Sequence, residues 1–160
     1  MNYLFTVAGR GSRFKKKGIK PPKPLIKVFG NELLIWSMNS FNYNSDDKIF
    51  IVTYKFHKVK EKLDKKISIL FPNINIFWLE LESIPNGQLL TAIEAINFFD
   101  IKGSILIHNC DTYHAFNMGD LTSLLDDDLF GIIPCFQAEG DHCSFAKSSK
   151  KDSSIAIELM

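Results

Sequence analysis

Residues 7–26 read VAGRGSRFKKKGIKPPKPLI and follow a short apolar run, Tyr3 to Val7, that has the composition of a buried strand. Gly9 and Gly11 therefore stand where a strand ends and a loop begins. Glycine leaves the backbone amides unshielded and permits positive φ, so an anion can approach the main chain closely. The pattern predicts a loop that binds phosphate groups.

Positive charge is concentrated in this loop, although the formal net charge of the whole chain is only +1. Pro21, Pro22 and Pro24 restrict the backbone around Lys23 and favour extended geometry before each proline. We therefore expect Lys23 to be held in place, as suits a catalytic cation, and several phosphates to be neutralised together. The cations of the loop are Arg10, Arg13, Lys15, Lys16, Lys17, Lys20 and Lys23.

Two common phosphate-binding motifs are absent from the loop. The P-loop ends in Gly-Lys-Ser/Thr, which is missing, and the dinucleotide fingerprint has a third glycine where Phe14 stands. A solvated basic loop that binds anions nonspecifically, or a nucleic-acid patch, stays open as an alternative. The near-neutral charge of the whole chain argues against a dedicated nucleic-acid-binding protein.

Length and composition predict one soluble domain over residues 1–160. The chain has 160 residues, of which 46% are hydrophobic, enough for a single core. No run approaches the roughly 20 apolar residues that cross a bilayer, and the N-terminus carries no leader with a cleavage site, so we expect a cytoplasmic protein. The cysteines, Cys110, Cys135 and Cys143, lack a paired zinc spacing, and we expect reduced thiols.

Apolar periodicity predicts alternating strands and helices. Strands are expected at residues 3–7, 48–54, 73–81 and 103–108, and helices at 33–42, 56–70 and 88–99. This alternation predicts an α/β fold with a mostly parallel central sheet and helices on both faces. Residues 130–136 are expected to form a further strand, and residues 143–147 and 154–158 a final hairpin. Trp36 and Phe41 are expected in the core.

A carboxylate follows the fourth predicted strand. Asp111 lies just past the carboxyl end of that strand, where open α/β sheets bind their ligands. Carboxylate oxygen suits Mg²⁺, which keeps several waters and takes further ligands from substrate phosphates, so Asp111 is the candidate metal ligand. His108 and His114 flank it, and a zinc site is the alternative, although this spacing favours structural or supporting roles.

The glycine-rich loop followed by Pro-Lys-Pro-Leu resembles the signature of the sugar-phosphate nucleotidyltransferases, a pyrophosphorylase-like family. The resemblance extends from Tyr3 to about Glu158 and implies a Rossmann-like sandwich of the glycosyltransferase-A type. It implies that Arg13 and Lys23 act in catalysis and that Asp111 binds Mg²⁺. The residues implied to bind the nucleotide are Ala8, Gly9, Gly11, Ser12, Gly87 and Gln88. For Gln88, a helix-start residue that faces water is an equally open interpretation.

Residues near the C-terminal end resemble the family segment beside the second substrate. Asp141, Ser144 and Lys147 are the matching positions, with Cys143 where the family more often has an aromatic residue. Family members continue well beyond this point and supply a second metal-binding aspartate. The resemblance therefore implies a nucleotidyltransferase domain that is incomplete at its C-terminus.

The resemblance implies transfer of a nucleoside monophosphate from a nucleoside triphosphate to a phosphorylated sugar or small alcohol. Pyrophosphate would be released, in the synthesis of surface polysaccharide precursors. We expect CTP, UTP or dTTP as the nucleotide, Mg²⁺ as the cofactor, and neither nucleic acid nor membrane as a partner. Two alternatives stay open: a nucleotide-binding module without turnover, and a glycosyltransferase that consumes a nucleotide sugar. The latter requires an acidic pair after the fourth strand, where only Asp111 is present.

Overall fold

The computed structural model describes residues 1–115, 118–123, 131–136, 146–150, 152, 154 and 156–159. The chain divides into two compact units, Met1–Phe116 and Asn117–Met160. The predicted single domain over residues 1–160 stays a prediction.

The first unit alternates strands and helices along most of its length. Its strands are β1 (Asn2–Thr6), β2 (Lys27–Val28), β3 (Asn31–Glu32), β4 (Lys48–Tyr54), β5 (Asn75–Leu81) and β6 (Ile105–His108). Its helices are α1 (Ser12–Lys16), α2 (Leu33–Met38), α3 (Val59–Leu70) and α4 (Gln88–Phe99), with 3-10 helices at Lys23–Leu25 and Lys55–His57. The predicted bounds of β4 and α4 are confirmed, and the other core elements differ from prediction by a few residues at their ends.

Four of these strands form one parallel sheet in the order β5-β4-β1-β6. In the register, Phe5 of β1 pairs with Ile51 of β4 and with His108 of β6, so these strands end at the same edge. The run Tyr3 to Phe5 is buried along its length, as expected for a central strand that is covered on both faces. The predicted α/β fold with a parallel central sheet is confirmed.

Helices cover both faces of the sheet, as predicted. On one face, Ala92 and Ala95 of α4 pack in a core cluster with Leu4 of β1. On the other face, Nε1–H of Trp78 in β5 donates to Asp64 of α3 at 2.7 Å. Successive residues of a strand point to opposite faces, so each strand supplies both apolar layers.

The second unit contains α5 (Met118–Thr122) and an antiparallel pair formed by β7 (Ala146–Ser148) and β8 (Ala156–Leu159). The predicted final hairpin is confirmed within the described residues. The predicted strand at 130–136 is wrong for the part that the structure describes, because residues 131–136 form neither helix nor strand. Apolar composition favours a strand there, but a strand also needs a neighbouring edge that pairs with its backbone.

The thiols of Cys110 and Cys135 are free, in agreement with the expected reduced state, and Cys143 lies outside the described residues. Burial raises the pKa of the Cys110 thiol to about 12. Cys110 therefore stays protonated and is not prepared to act as a nucleophile or a metal ligand. Among the described helices, none combines the length and the apolar character that a membrane crossing requires.

Candidate active site

A cavity of about 590 Å³ opens in the first unit beside the loop that follows β1. Its lining comes from that loop, from the 3-10 helix at Lys23, from the start of α4 and from the end of β6. Five of the predicted site residues are among the lining residues: Ala8, Gly9, Lys23, Gly87 and Gln88. Segments that are far apart in the sequence therefore line the same cavity.

The loop after β1 turns at Gly11. Gly11 has a φ of 63°, in the left-handed region that favours glycine, and a side chain there would contact Lys23. At Gly9, an added Cβ would meet no atom within 4 Å. The two glycines therefore act differently: Gly11 permits the turn, and Gly9 leaves its backbone open to the cavity.

Lys23 is held by its neighbours. It begins the 3-10 helix Lys23–Leu25, in which Pro24 is buried. Its Nζ lies 2.7 Å from Oδ2 of Asp111 and 5.9 Å from the centroid of the Phe14 ring. The predicted catalytic lysine and the predicted metal ligand are thus in direct contact, and Asp111 adjoins the cavity through Lys23.

Hydrogen bonds join α2 to the end of β6 and to the turn that contains Asn109 and Asp111. Ser37 Oγ lies 2.5 Å from the backbone oxygen of Asn109 and 2.8 Å from Nδ1 of His108. Because a carbonyl oxygen only accepts, Ser37 donates to Asn109, and the Nδ1–H of His108 donates to Ser37. Asn109 also lines the cavity. The packing of α2 against β6 thus determines where this turn stands.

Another wall of the cavity is the start of α4. Gly87 precedes the helix with a φ of 111°, a backbone conformation that residues other than glycine rarely adopt. The carbonyl of Gly87 accepts a hydrogen bond from Thr91 Oγ1 at 3.1 Å. Gln88 is the first helical residue and is exposed. Its side-chain amide can both donate and accept, which suits contact with the edge of a base.

The surroundings of Asp111 fit a magnesium ion that is bound mainly through water and substrate. Within the described part of the chain, no group of three His, Cys, Asp or Glu side chains is placed to hold a metal ion. A single carboxylate suits an ion that keeps waters and binds phosphate oxygens. The rings of His108 and His114 lie 4.8 Å apart, but His108 is buried and bonded to Ser37, which supports a structural role.

Comparison with known proteins links the chain to one group. No family model matches it. The bifunctional protein GlmU of Campylobacter curvus (strain 525.92) is 26% identical over 137 residues, which cover 84% of this chain and 28% of that protein. The structure of the nucleoside-diphosphate-sugar pyrophosphorylase from Vibrio cholerae RC9 matches with a TM-score of 0.80 and 26% identity, over 99% of this chain and 66% of its own. The inositol-1-phosphate CTP transferase from T. maritima matches with a TM-score of 0.60 and 17% identity, over 81% of this chain and 50% of its own.

The chain is similar to nucleotidyltransferases in sequence and in fold. The identification made from the glycine-rich loop is thereby confirmed, and so is the expected sandwich fold. The likeness to the CTP transferase, at 17% identity, shows the fold alone. The chain spans 28% of the length of GlmU and 66% of the length of the pyrophosphorylase.

Some of the residues that the nucleotidyltransferase resemblance implies are not among the residues that line the cavity. Gly11 forms the turn into α1, and Ser12 and Arg13 are the first residues of that helix. Lys147 lies in β7 of the second unit and is exposed. The predicted substrate residues outside the described part of the chain are Asp141 and Ser144. The roles of all these residues stay predictions.

Several residues that line the cavity beside the glycine-rich loop were not predicted as site residues. Arg10 was counted only as a cation of the loop. Thr6 and Asn109 stand at the ends of neighbouring strands, a position that signals proximity to the site once the strand order is known. Thr91 lies one helical turn after Gly87. Ile84 and Pro85 also line the cavity, as does Asn86, which belongs to the segment Asn86-Gly87-Gln88 that the resemblance implies at the base.

Because three histidines have lowered pKa values, we expect the folded chain to lose stability at mildly acidic pH. Burial, and secondarily the neighbouring His114, lower the pKa of His108 from 6.5 to about 4, and burial also lowers the pKa of His57 and His114. Between pH 6.5 and about 4 the unfolded chain binds more protons than the folded chain, so stability is full above this window and falls as the pH decreases. For His108 alone we expect a loss of about 2 kcal/mol between pH 7 and pH 5.

Denaturant unfolding of the protein and of His108→Gln at both pH values measures this loss. The variant should be less stable at pH 7 but should lose less stability on acidification. An equal loss in the two proteins would show that His108 does not cause it.

Proposed function

We propose that this chain binds a nucleoside triphosphate in the cavity and transfers its nucleoside monophosphate to a phosphorylated small molecule, with release of pyrophosphate. One observation carries the proposal: a single cavity joins the glycine-rich loop, the start of α4 and Lys23 with its partner Asp111. Open backbone amides, a positioned cation and a nearby carboxylate together match the needs of a triphosphate with its metal ion. Similarity to a nucleoside-diphosphate-sugar pyrophosphorylase supports the same class of reaction.

The reaction would join an oxygen of the acceptor phosphate to the α-phosphorus of the triphosphate. The bond between that phosphorus and the oxygen that bridges to the β-phosphate would break, and its electrons would leave with pyrophosphate. Such a displacement needs no covalent intermediate on the protein. Catalysis would come from alignment of the reactants and from neutralisation of charge.

The charged residues would serve three roles in the transfer. Lys23 would stabilise the charge that develops around the α-phosphate, and Arg10 and Arg13 would neutralise the leaving pyrophosphate. Asp111 would hold the magnesium ion, which when bound supplies charge neutralisation at the phosphate oxygens. The contact between Lys23 and Asp111 keeps the cation and the carboxylate together at the point of transfer.

The nucleotide and the cellular role are also proposed. We propose that Gly87 and Gln88 bind the base of CTP, UTP or dTTP, with the glycine permitting close approach. Asp141, Ser144 and Lys147 stay the proposed contacts on the acceptor side. The product would be a cytoplasmic precursor of a surface polysaccharide.

A thermal-shift comparison of CTP, UTP, dTTP, ATP and GTP with Mg²⁺ tests the binding step. A triphosphate present at about 100 times its dissociation constant should raise the melting temperature by roughly 5–10 °C, because a ligand that binds only the folded state stabilises it by mass action. Arg10→Ala should reduce the shift, whereas Lys16→Ala, a matched change on the exposed side of α1, should not.

Release of pyrophosphate from a panel of phosphorylated acceptors tests the transfer step. Stabilisation by a triphosphate without any product would favour the module that binds nucleotide without turnover. Absence of stabilisation by all five triphosphates would contradict the proposed function.

A further inference from the structure

A second cavity of about 280 Å³ lies in the first unit, with Asp111 in its lining. The rings of Trp36 and Tyr113 meet there edge to face, with centroids 6.0 Å apart and planes at 88°. We call this cavity the aromatic recess. The rest of its lining is mostly apolar and comes from the β2–β3 hairpin, from α2 and from the turn after β6: Val28, Phe29, Leu33 and Thr112.

Trp36 was expected in the core together with Phe41. Phe41 is buried, as predicted, but the prediction for Trp36 is wrong, because Trp36 is only half-buried and lines the recess. Tyr113 is 58% exposed. Helical periodicity places both Trp36 and Phe41 among apolar positions, and it does not show which of them remains open to solvent.

Phe29 stands at a turn position where phenylalanine is unfavourable for folding. Phe29 and Gly30 form the two-residue loop between β2 and β3, with φ values of 48° and 85°. A two-residue loop with positive φ at both positions favours Asn-Gly, and a phenylalanine there is strained. The side chain is also 94% exposed, so little packing offsets the strain. Backbone strain combined with apolar exposure is typical of a binding site.

The hairpin that presents Phe29 is anchored to the rest of the unit. Nε1–H of Trp36 donates to the backbone oxygen of Val28 at 2.7 Å. Lys66 of α3 donates to the Glu32 carboxylate at 2.6 Å. Because the indole N–H is already satisfied, Trp36 offers only ring surface to a ligand. The recess is therefore preformed, with apolar walls in a defined position.

The recess and the proposed nucleotide cavity meet at one ion pair. Asp111 lines the recess, Lys23 lines the nucleotide cavity, and their charged atoms are 2.7 Å apart. An acceptor must bring its phosphate to this pair, because the proposed transfer takes place there. The remainder of an acceptor bound in this way would extend into the recess, because Asp111 belongs to both the pair and the recess lining.

We propose that the aromatic recess binds the carbon skeleton of the acceptor, and that the acceptor is a phosphomonoester of a small alkyl or alkylammonium alcohol rather than of a sugar. This inference rests on the proposed nucleotidyl transfer. The hydroxyl groups of a sugar need several hydrogen-bond partners, but the polar side chains that line the recess are Asp111, Thr112 and Tyr113, and the Asp111 carboxylate is already paired with Lys23. Aromatic rings favour contact with alkyl groups and with alkylammonium cations.

Titration calorimetry tests the choice of acceptor. The chain is first saturated with Mg²⁺ and with a non-hydrolysable analogue of the triphosphate that stabilises it in the thermal-shift comparison. Separate samples are then titrated with phosphocholine, isopentyl phosphate and glucose 1-phosphate. Phosphocholine or isopentyl phosphate should bind at least about tenfold more tightly than glucose 1-phosphate. Equal or tighter binding of glucose 1-phosphate, or no binding of any of the three, overturns the proposal. Triphosphate binding in the same sample shows separately whether the proposed nucleotide site stands.

The variant Phe29→Asn separates binding from folding. It creates the Asn-Gly pair that this turn favours, so the melting temperature should stay the same or rise. Affinity for the preferred acceptor should fall by about tenfold, because an aromatic contact is lost, while triphosphate affinity is unchanged.

Phe56→Asn is the matched control for this variant. Phe56 is 70% exposed in the 3-10 helix Lys55–His57 and is not part of the recess, so its replacement should leave acceptor affinity unchanged. Unchanged acceptor affinity in Phe29→Asn overturns the proposal. A change only in the association state of Phe29→Asn also overturns it, because the recess would then be a contact between copies of the chain.

Discussion

Replacement of Lys23 by alanine is expected to slow nucleotidyl transfer on the order of 10²–10³-fold, while triphosphate affinity falls by less than about tenfold. The ammonium group pairs with Asp111, and the Lys23 backbone is fixed at the start of the 3-10 helix, so the cation is positioned before the reaction begins. A preorganised cation stabilises the charge that develops in the transition state more than the charge of the bound substrate. Steady-state kinetics and direct measurement of triphosphate binding separate the two effects.

Lys20→Ala is the matched control for this substitution. Lys20 belongs to the same basic loop but is exposed and is not among the residues that line the cavity. Its removal should change neither turnover nor affinity by more than about twofold, as expected for a solvated surface charge. If Lys23→Ala lowers affinity and turnover by the same factor, Lys23 binds the nucleotide without a specific part in the transition state.

Asp111→Asn is expected to reduce turnover on the order of 10²-fold and to raise the Mg²⁺ concentration that is needed for half-maximal activity. An amide oxygen carries no charge, so it is a weaker ligand for a divalent cation than a carboxylate. The fold should be retained, because the Asp111 side chain is 34% exposed and its ion pair with Lys23 is partly solvated. A partly solvated pair contributes less than about 1 kcal/mol to stability.

The measurements for Asp111→Asn are a Mg²⁺ titration of the rate and an unfolding curve. Asp46→Asn, at an exposed position, serves as the matched control and should leave both unchanged. Retained Mg²⁺ dependence in Asp111→Asn would show that the metal ion is bound elsewhere. A large loss of stability would show that the carboxylate serves the fold rather than the metal ion.

The elements that the sequence predicted well are those whose signal is local. The runs Tyr3 to Phe5 and Ile49 to Val52 are continuous apolar segments, and buried parallel strands have this composition. The helix at residues 88–99 begins directly after Gly87, and its predicted bounds are confirmed. The strand expected at residues 130–136 had the same kind of signal, but apolar composition does not show whether a partner edge is present.

The parts of the candidate site that local sequence patterns indicate could be predicted from the sequence. Glycines after a strand, prolines around a lysine and a carboxylate after a strand each have a meaning that depends on neighbouring residues alone. The contact between Lys23 and Asp111 could not be derived in this way, because it depends on the pairing of β1 with β6. Thr6 and Asn109 were missed for the same reason.

The sequence by itself determined the parallel α/β architecture, the phosphate-binding character of the loop at residues 7–26 and the relationship to the nucleotidyltransferases. Only the tertiary structure decided which residues share one cavity, that the predicted catalytic lysine touches the predicted metal ligand, and that Trp36 and Phe29 border a second cavity. The physical reason is the range of the interactions. Backbone preferences and apolar periodicity act over a few neighbouring residues, whereas a cavity forms from side chains that sheet pairing and helix packing bring together across the chain.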